Sequence, residues 1–318
     1  MPTSGRGLHV DVPLSNILIN RRVSGYIADQ FVPVTPVTKQ SDLYYKFFHG
    51  EWARQEPGLT YRAPRTEPKK VHFNVSSDGY FAHNYALGTD WAVEDEVNAD
   101  SVLNWASAHS SLLMERLMMD YEYRLAEMAI NTSNVRTVTQ VGCAWTLNQA
   151  PIVTQMLGFV EDFRQVTGML PNTMIIPQAL RRHIITNSQI CGMLFGSNGG
   201  IASEAQLAGL LNIEKVLRPS IQVNTFGETE TLNGSWSYAD VWGQDSIWMS
   251  HTKTLAGRET DTWMNAFRWT NPMLGVPMAV ERFPYDAKRK AYDLQVGYYQ
   301  GEKVVSRDLA VRYIVTST

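Results

Sequence analysis

From Ala99 to Asn131 the chain runs through ADSVLNWASAHSSLLMERLMMDYEYRLAEMAIN without a proline or glycine. Leu103, Ala106, Leu113, Leu117, Tyr121, Leu125 and Met128 are spaced by three, four or, once, seven residues, which puts them on one stripe of an α-helix. The spacing predicts one amphipathic helix over about 100–131, roughly 45 Å long at about 1.5 Å per residue. Asp100 is placed to cap it, and the acidic residues before it suit the positive end of the helix dipole. Glu115, Arg116, Asp120, Glu122, Arg124 and Glu127 fall on the polar side, where Asp120 and Arg124 can pair at i,i+4. Ala106 is followed by His109 and Ser110 instead of large apolar residues, so a coiled-coil seam is missing. A helix laid across a sheet is the expected arrangement.

The sheet is expected from the C-terminal part. Tyr292, Leu294, Val296 and Tyr298 alternate with polar positions, as do Leu309, Val311, Tyr313 and Val315, the pattern of antiparallel strands with one buried face. Residues 98–131 and about 262–318 are therefore predicted to form one discontinuous domain, with a mixed α/β insertion at 150–250 between them. In that insertion Val153, Met156, Leu157, Val160 and Phe163 define a helix over Ile152–Val166, stopped by Gly168. PNTMIIP at 171–177 reads as a short buried strand, a helix follows through Leu180 and Ile184, and a capped helix runs from Ser203 through Leu211. Strand-like segments come at 213–217, 236–242 and 246–250. The fold class is α+β.

The residues before the long helix contain more apolar and basic surface than they can bury on themselves. Pro13, Pro33 and Pro36 bias residues 1–36 toward an extended arm that packs on something else. Residues 44–91 are rich in aromatics, alternate at Val71, Phe73 and Val75, and contain the turn signal SSDG at 76–79, which predicts a long β-hairpin. Two strands alone are marginal in water, so the hairpin needs a second surface. Tyr45, Phe47 and Trp52 supply aromatic contacts, and Arg54, Arg62, Arg65, Lys69 and Lys70 make its far part basic against Glu56 and Glu67. Glu94, Asp95 and Glu96 form an acidic entrance to the helix. Two readings stand for these charges. The acids complement the helix dipole and the bases are solvated, or the basic hairpin of one copy meets the acidic entrance of the next.

Composition narrows the function. Lys plus Arg number 28 against 31 Asp plus Glu, a formal net charge of -3, so no basic excess recruits nucleic acid or an anionic membrane. No window of about 18 apolar residues and no signal-peptide core occur, which points to a soluble, non-secreted product. Cys143 and Cys191 are the only cysteines, too few for a disulfide framework or a thiolate metal site. The seven histidines lack compact ligand spacing, GSNGG at 196–200 lacks the Gly-Lys-Ser/Thr that would hold a phosphate, and the S-x-x-K match at Ser250 to Lys253 lacks its companion motifs. No catalytic, cofactor-binding or metal-binding constellation emerges.

The order of segments is more specific than any one of them. An arm, a hairpin carrying YYKF and YRAP, the acidic VEDEVNAD, the helix with MERLMMDYEYRLAEMA, then TGMLPNTMIIP, EAQLAGLLNIEKVL and DVWGQDSIWM together resemble the major capsid proteins of tailed bacteriophages with the HK97 fold. The resemblance spans about residues 28–250. It implies an N-terminal arm at 1–36, an E-loop at 37–90, a P-domain at 91–144 and 256–318 built on the long spine helix and an antiparallel sheet, and an A-domain at 145–255. It further implies a non-enzymatic shell protein of the virion, assembled in the bacterial host cytoplasm into hexamers and pentamers of an icosahedral head. The implied partners are other copies of the chain, a portal protein, scaffolding and decoration or cement proteins separate from it, and double-stranded DNA enclosed by proximity. No membrane partner is implied. An encapsulin-like nanocompartment shell shares the fold, and a mixed α/β enzyme whose site carries no motif is the reading from a different class.

Overall fold

In a computed structural model of the chain, the structure describes residues 9–10, 25–47, 60–70, 72, 75–98, 105–140, 145, 150–196, 200–224, 237–253, 262–270 and 278–315. The elements in chain order begin with β1 (His9–Val10), α1 (Ala28–Phe31), β2 (Val34–Val37), β3 (Ser41–Phe47), β4 (Val75–Phe81), β5 (His83–Ala92), α2 (Val93–Asn98) and α3 (Trp105–Ile130). β6 (Arg136–Gln140), α4 (Ile152–Thr167), β7 (Thr173–Ile175), α5 (Gln178–Ile185), α6 (Ser188–Phe195), α7 (Glu204–Leu211), β8 (Lys215–Leu217), β9 (Gln222–Asn224), β10 (Tyr238–Asp240) and β11 (Ser246–Ser250) follow. β12 (Met264–Trp269), β13 (Met278–Arg282), β14 (Ala291–Val304) and β15 (Ala310–Val315) complete the chain.

The long helix forms where its periodicity places it. α3 has 26 residues, and Leu113, Leu117, Tyr121 and Leu125 lie buried along one stripe. Burying each such side chain contributes about 1.5–3 kcal/mol as an upper estimate. Asp120 and Arg124 pair as the spacing requires. The acidic residues ahead of α3 form a short helix of their own, α2, and Asp100 falls outside the described residues. Glu122 departs from its predicted place: it is fully buried, because residues before the hairpin fold over that turn of the helix.

The first half of α3 crosses a sheet in the order β1-β13-β14-β12-β2, with β5 on the other side of β14. Leu113, Met114 and Leu117 pack there against Val280, Leu294, Val296 and Tyr298, the buried face that strict alternation predicts for β14. The expected arm is in part built into its own subunit. Ile27, Ala28, Phe31 and Val32 are buried, Phe31 lies edge-on to Trp242 at 5.5 Å, and β2 pairs in parallel with β12.

The second sheet, β6-β15-β11-β7-β8, carries the mixed α/β part. α4 lies on it through Val153, Met156, Phe159 and Phe163, while Leu157, read as inward, is 46% exposed. Gly168 ends α4 at φ 73°, where a side chain would be strained, and its N–H closes on Arg164 at 2.8 Å. Ser203 caps α7 in a reciprocal box with Gln206. The last strand corrects the predicted domain division. β15 runs antiparallel to β11 and parallel to β6, so Val311, Tyr313 and Val315 complete the core under α4 and not the sheet under α3. Its alternation identifies a strand with a buried face but says nothing about which sheet takes it.

Candidate assembly surface

Among the described residues β3 and β4 pair only with each other, from Ser41 opposite Phe81 to Phe47 opposite Val75. The predicted hairpin thus exists, but its SSDG sequence is not the turn. Ser76 to Gly79 lie inside β4, where Asp78 stands opposite Tyr44, accepts from its hydroxyl at 3.3 Å and pairs with Lys46 at 2.8 Å. The Lys46 hydrogen bond is the main cause holding Asp78 below the ordinary carboxylate range. Cross-strand pairing overrides the local turn preference.

Opposed residues of an antiparallel pair share a face, so the hairpin has two distinct sides. One side is fastened to its own subunit. The Tyr80 ring stacks on Phe267 at 4.4 Å, and Tyr44 approaches Phe267 at 5.2 Å. Burial first, then the Asp78 charge, push the Tyr44 phenol above its ordinary pKa. Gly301, opposite Phe267, permits this close seat: a Cβ there would stand 2.3 Å from the Phe81 carbonyl oxygen. The other side is bare. Leu43, Tyr45 and Phe81 are 68%, 56% and 48% exposed on that single face.

Of the predicted basic residues, Arg62, Arg65, Lys69 and Lys70 are exposed on the loop between the strands. Arg62 donates from Nε to the Thr66 carbonyl at 2.6 Å, and Arg65 holds a positive φ of 67°. Trp52 and Arg54 lie outside the described residues, and Phe47 is placed by its backbone alone. Glu94, Asp95 and Glu96 are all exposed on α2. Glu96 accepts from the Trp91 indole at 3.2 Å and stands 3.9 Å from Arg282. Among the described residues no ion pair involves Glu94 or Asp95, and none joins the basic loop to the acidic helix within the subunit.

Two features went unseen in the sequence. β5 is a separate ten-residue strand, read above as part of the hairpin. Tyr85, Leu87, Thr89 and Trp91 alternate on its helix-facing side, a signal that could have found it. Between β5 and α3 runs a groove of about 550 Å³ lined by Leu87, Leu117, Met119 and Tyr123 together with Arg116, Asp120 and, from β9, Val223. The second feature is a ring stack, in which His109 lies 5.4 Å from both Trp91 and Trp105 and within 3.3 Å of Thr89 Oγ1. It locks β5 to the start of α3. The residues of the S-x-x-K match are structural: Ser250 is buried in β11, and His251 Nδ1 sits 2.9 Å from the Leu170 carbonyl.

No protein-family model matches the chain, and no curated protein matches it. Among solved structures it is similar to a phage-related protein from Bordetella bronchiseptica RB50, with a TM-score of 0.71 at 16% identity over 97% of this chain and 98% of that one. It is also similar to the capsid of the cyanophage P-SCSP1u, with a TM-score of 0.59 at 11% identity over 91% and 87% of the two chains. A virus-like particle from Pyrococcus furiosus matches with a TM-score of 0.55 at 9% identity over 94% and 95%. With its long helix across an antiparallel sheet, its hairpin and its mixed α/β part, the chain has the HK97-like fold of phage capsid structures.

Proposed function

We propose that this chain is the major capsid protein of a tailed bacteriophage, a structural subunit that assembles with its own copies into hexamers and pentamers of an icosahedral head around double-stranded DNA. The observation that carries this reading is the two-sided hairpin, fastened to the subunit by Tyr44 and Tyr80 while Leu43, Tyr45 and Phe81 stay bare. A soluble monomer gains nothing from holding a rigid apolar face in water, whereas a shell subunit covers it on a neighbour. Contacts of this head-to-tail kind close into rings, and repetition around a ring multiplies modest interactions. The similarity to the cyanophage capsid supports the same role. A portal protein, scaffolding and cement proteins and the enclosed DNA are the further partners of such a head, and the virion is its location.

Electron microscopy and sedimentation of the purified chain test the proposal. Closed shells, or rings of five and six copies, are expected. Discrete monomers or dimers persisting at high concentration would overturn it.

A further inference from the structure

A hollow of about 520 Å³, the size of a small-molecule site, opens at the C-terminal end of α3. Phe81, His83 and Tyr85 wall it on one side, Glu127 and Asn131 on another, and Glu302 of β14 on a third. The Phe81 and His83 rings meet at 4.9 Å and those of His83 and Tyr85 at 6.5 Å, so the first wall is a row of rings. The other walls are negative. The Glu302 side chain is only 7% exposed, and its Oε1 accepts from Arg124 Nη2 at 3.2 Å and from Gln300 Nε2 at 2.9 Å. Among the described residues, its Oε2 accepts from no donor and exposed Glu127 has no ion pair. Glu127 also stands in the last turn of α3, the negative end of the helix dipole. Neutral donors cap that end, the Asn134 amide on the Met128 carbonyl and the Trp248 indole on the Ala129 carbonyl, both at 3.2 Å. No basic residue stands in that turn.

Two bases line the hollow as well, and neither balances these acids. Arg124 is engaged within the subunit, paired with Asp120 and Glu302 and stacked over Tyr85 at 3.7 Å. Lys303 alternates to the opposite face of β14 from Glu302, and its charge bears on Asp78. We propose that the hollow binds a small organic cation, a linear aliphatic amine with an ammonium group at each end. One ammonium donates to Glu302 Oε2 and the other to Glu127, both as charge-assisted hydrogen bonds, while the methylene stem lies along the rings of Phe81 and Tyr85. A metal ion suits the site less well. Among the described residues no group of three metal-ligating side chains gathers anywhere, and a ring wall offers nothing to a hydrated ion that takes oxygen ligands. The whole site belongs to one subunit, so it stands apart from the capsid reading.

Isothermal titration calorimetry of unassembled subunits with putrescine, at constant ionic strength, tests this. Saturable binding of one amine per subunit is expected. Butylamine keeps the stem but has a single ammonium, and should bind at least about tenfold more weakly. Glu127→Gln should weaken putrescine by a similar factor, because it removes one of the two charged acceptors. Glu115→Gln removes an exposed acid of the same helix outside the hollow and should leave the affinity unchanged. Absence of saturable binding, or equal affinity for putrescine and butylamine, would overturn the proposal. Equal losses in Glu127→Gln and Glu115→Gln would overturn it too, by reducing the effect to diffuse attraction toward an acidic helix. If Glu127→Gln fails to fold, the comparison of the two amines on the unaltered protein decides. Failure to form shells would sink the capsid reading and leave these titrations untouched, whereas shells from a chain that ignores putrescine would sink the amine site only.

Discussion

The Trp242 indole N–H donates to Glu122 Oε1 at 2.6 Å, joining the middle of α3 to the loop before β11. The same carboxylate accepts the Ala28 N–H at 2.7 Å and the Ile27 N–H at 3.1 Å, both otherwise unpartnered at the start of α1. One buried acid therefore ties three distant stretches of chain together. The acid is fully buried, and Trp242 packs edge-on against Phe31 of α1, which in turn meets Trp263.

Glu122→Ala should destabilise the subunit by about 3 kcal/mol or more, because it strands three buried donors whose desolvation is no longer offset. Glu122→Gln retains one acceptor oxygen and should cost roughly half as much. Urea unfolding of unassembled subunits measures both. Equal stability of Glu122→Ala and the parent protein would show that the three donors find other partners.

Two carboxyls should give stability slopes of opposite sign against pH. Burial is the largest influence on Glu122 and raises its pKa above the ordinary 4.5, although its three donors pull the other way. Its folded form binds the proton more tightly than its unfolded form, so its contribution is full below about 4.5 and is lost as pH rises through the raised value. Burial would raise Asp162 too, but hydrogen bonds from Arg136 and Tyr313 outweigh it and hold the pKa below the ordinary 3.8. That contribution is present above 3.8 and lost as pH falls through the depressed value. Asp162 is 41% exposed on its side chain, which limits its share to about 1 kcal/mol. Unfolding measured across pH should lose the decline in stability that sets in above about 4.5 in Glu122→Gln, and the decline that sets in below 3.8 in Asp162→Asn.

Whether a feature was legible in the sequence depended on whether its cause is local. The stripe of α3, the Gly168 stop and the Ser203 cap arise from residues within a few positions of each other, and each was readable. Glu122 was assigned to the polar side because nothing near it in sequence shows that Ile27, Ala28 and Trp242 converge there. SSDG was assigned to a turn because Tyr44 and Lys46, which hold Asp78 in a strand, lie more than thirty residues away. β15 showed its buried face but not its sheet. On the assembly surface, Tyr45 was readable as a surplus aromatic residue, whereas Leu43 lies before the span read as the hairpin and the β5 groove depends on α3 crossing a strand from another part of the chain.

The hairpin boundaries decide how it can be removed. A deletion of 46–86, within the span read as the hairpin, would tear out Tyr80 and Ala82, both buried, and the first four residues of β5. Replacing only 48–74 with Asn-Gly joins Phe47 to Val75, which are already opposed, through a turn suited to two strands. That variant should fold with unchanged far-ultraviolet circular dichroism and fail to form shells in sedimentation. Shells of normal size would remove the loop from the assembly contact.

The exposed charges permit a more selective test. Arg62 and Arg65 lie on the loop, and Glu94 and Asp95 on α2, without an ion pair between the two sets in one subunit. Glu96 is the poorer candidate for a partner in trans, since Trp91 and Arg282 already engage it. Reversing Arg62 and Arg65 to Glu should therefore lower the yield of shells several-fold, and adding Glu94→Lys with Asp95→Lys should restore it. An exposed pair contributes at most about 1 kcal/mol, so one contact alone would barely register. Five or six repeats around a ring make the loss measurable, and it should shrink as salt rises because screening weakens the parent contact as well. Shell yield measured by light scattering at low and high ionic strength checks both points. Unchanged yield on reversal, or no recovery with the compensating pair, would leave the acids of α2 with only their local role at the helix start.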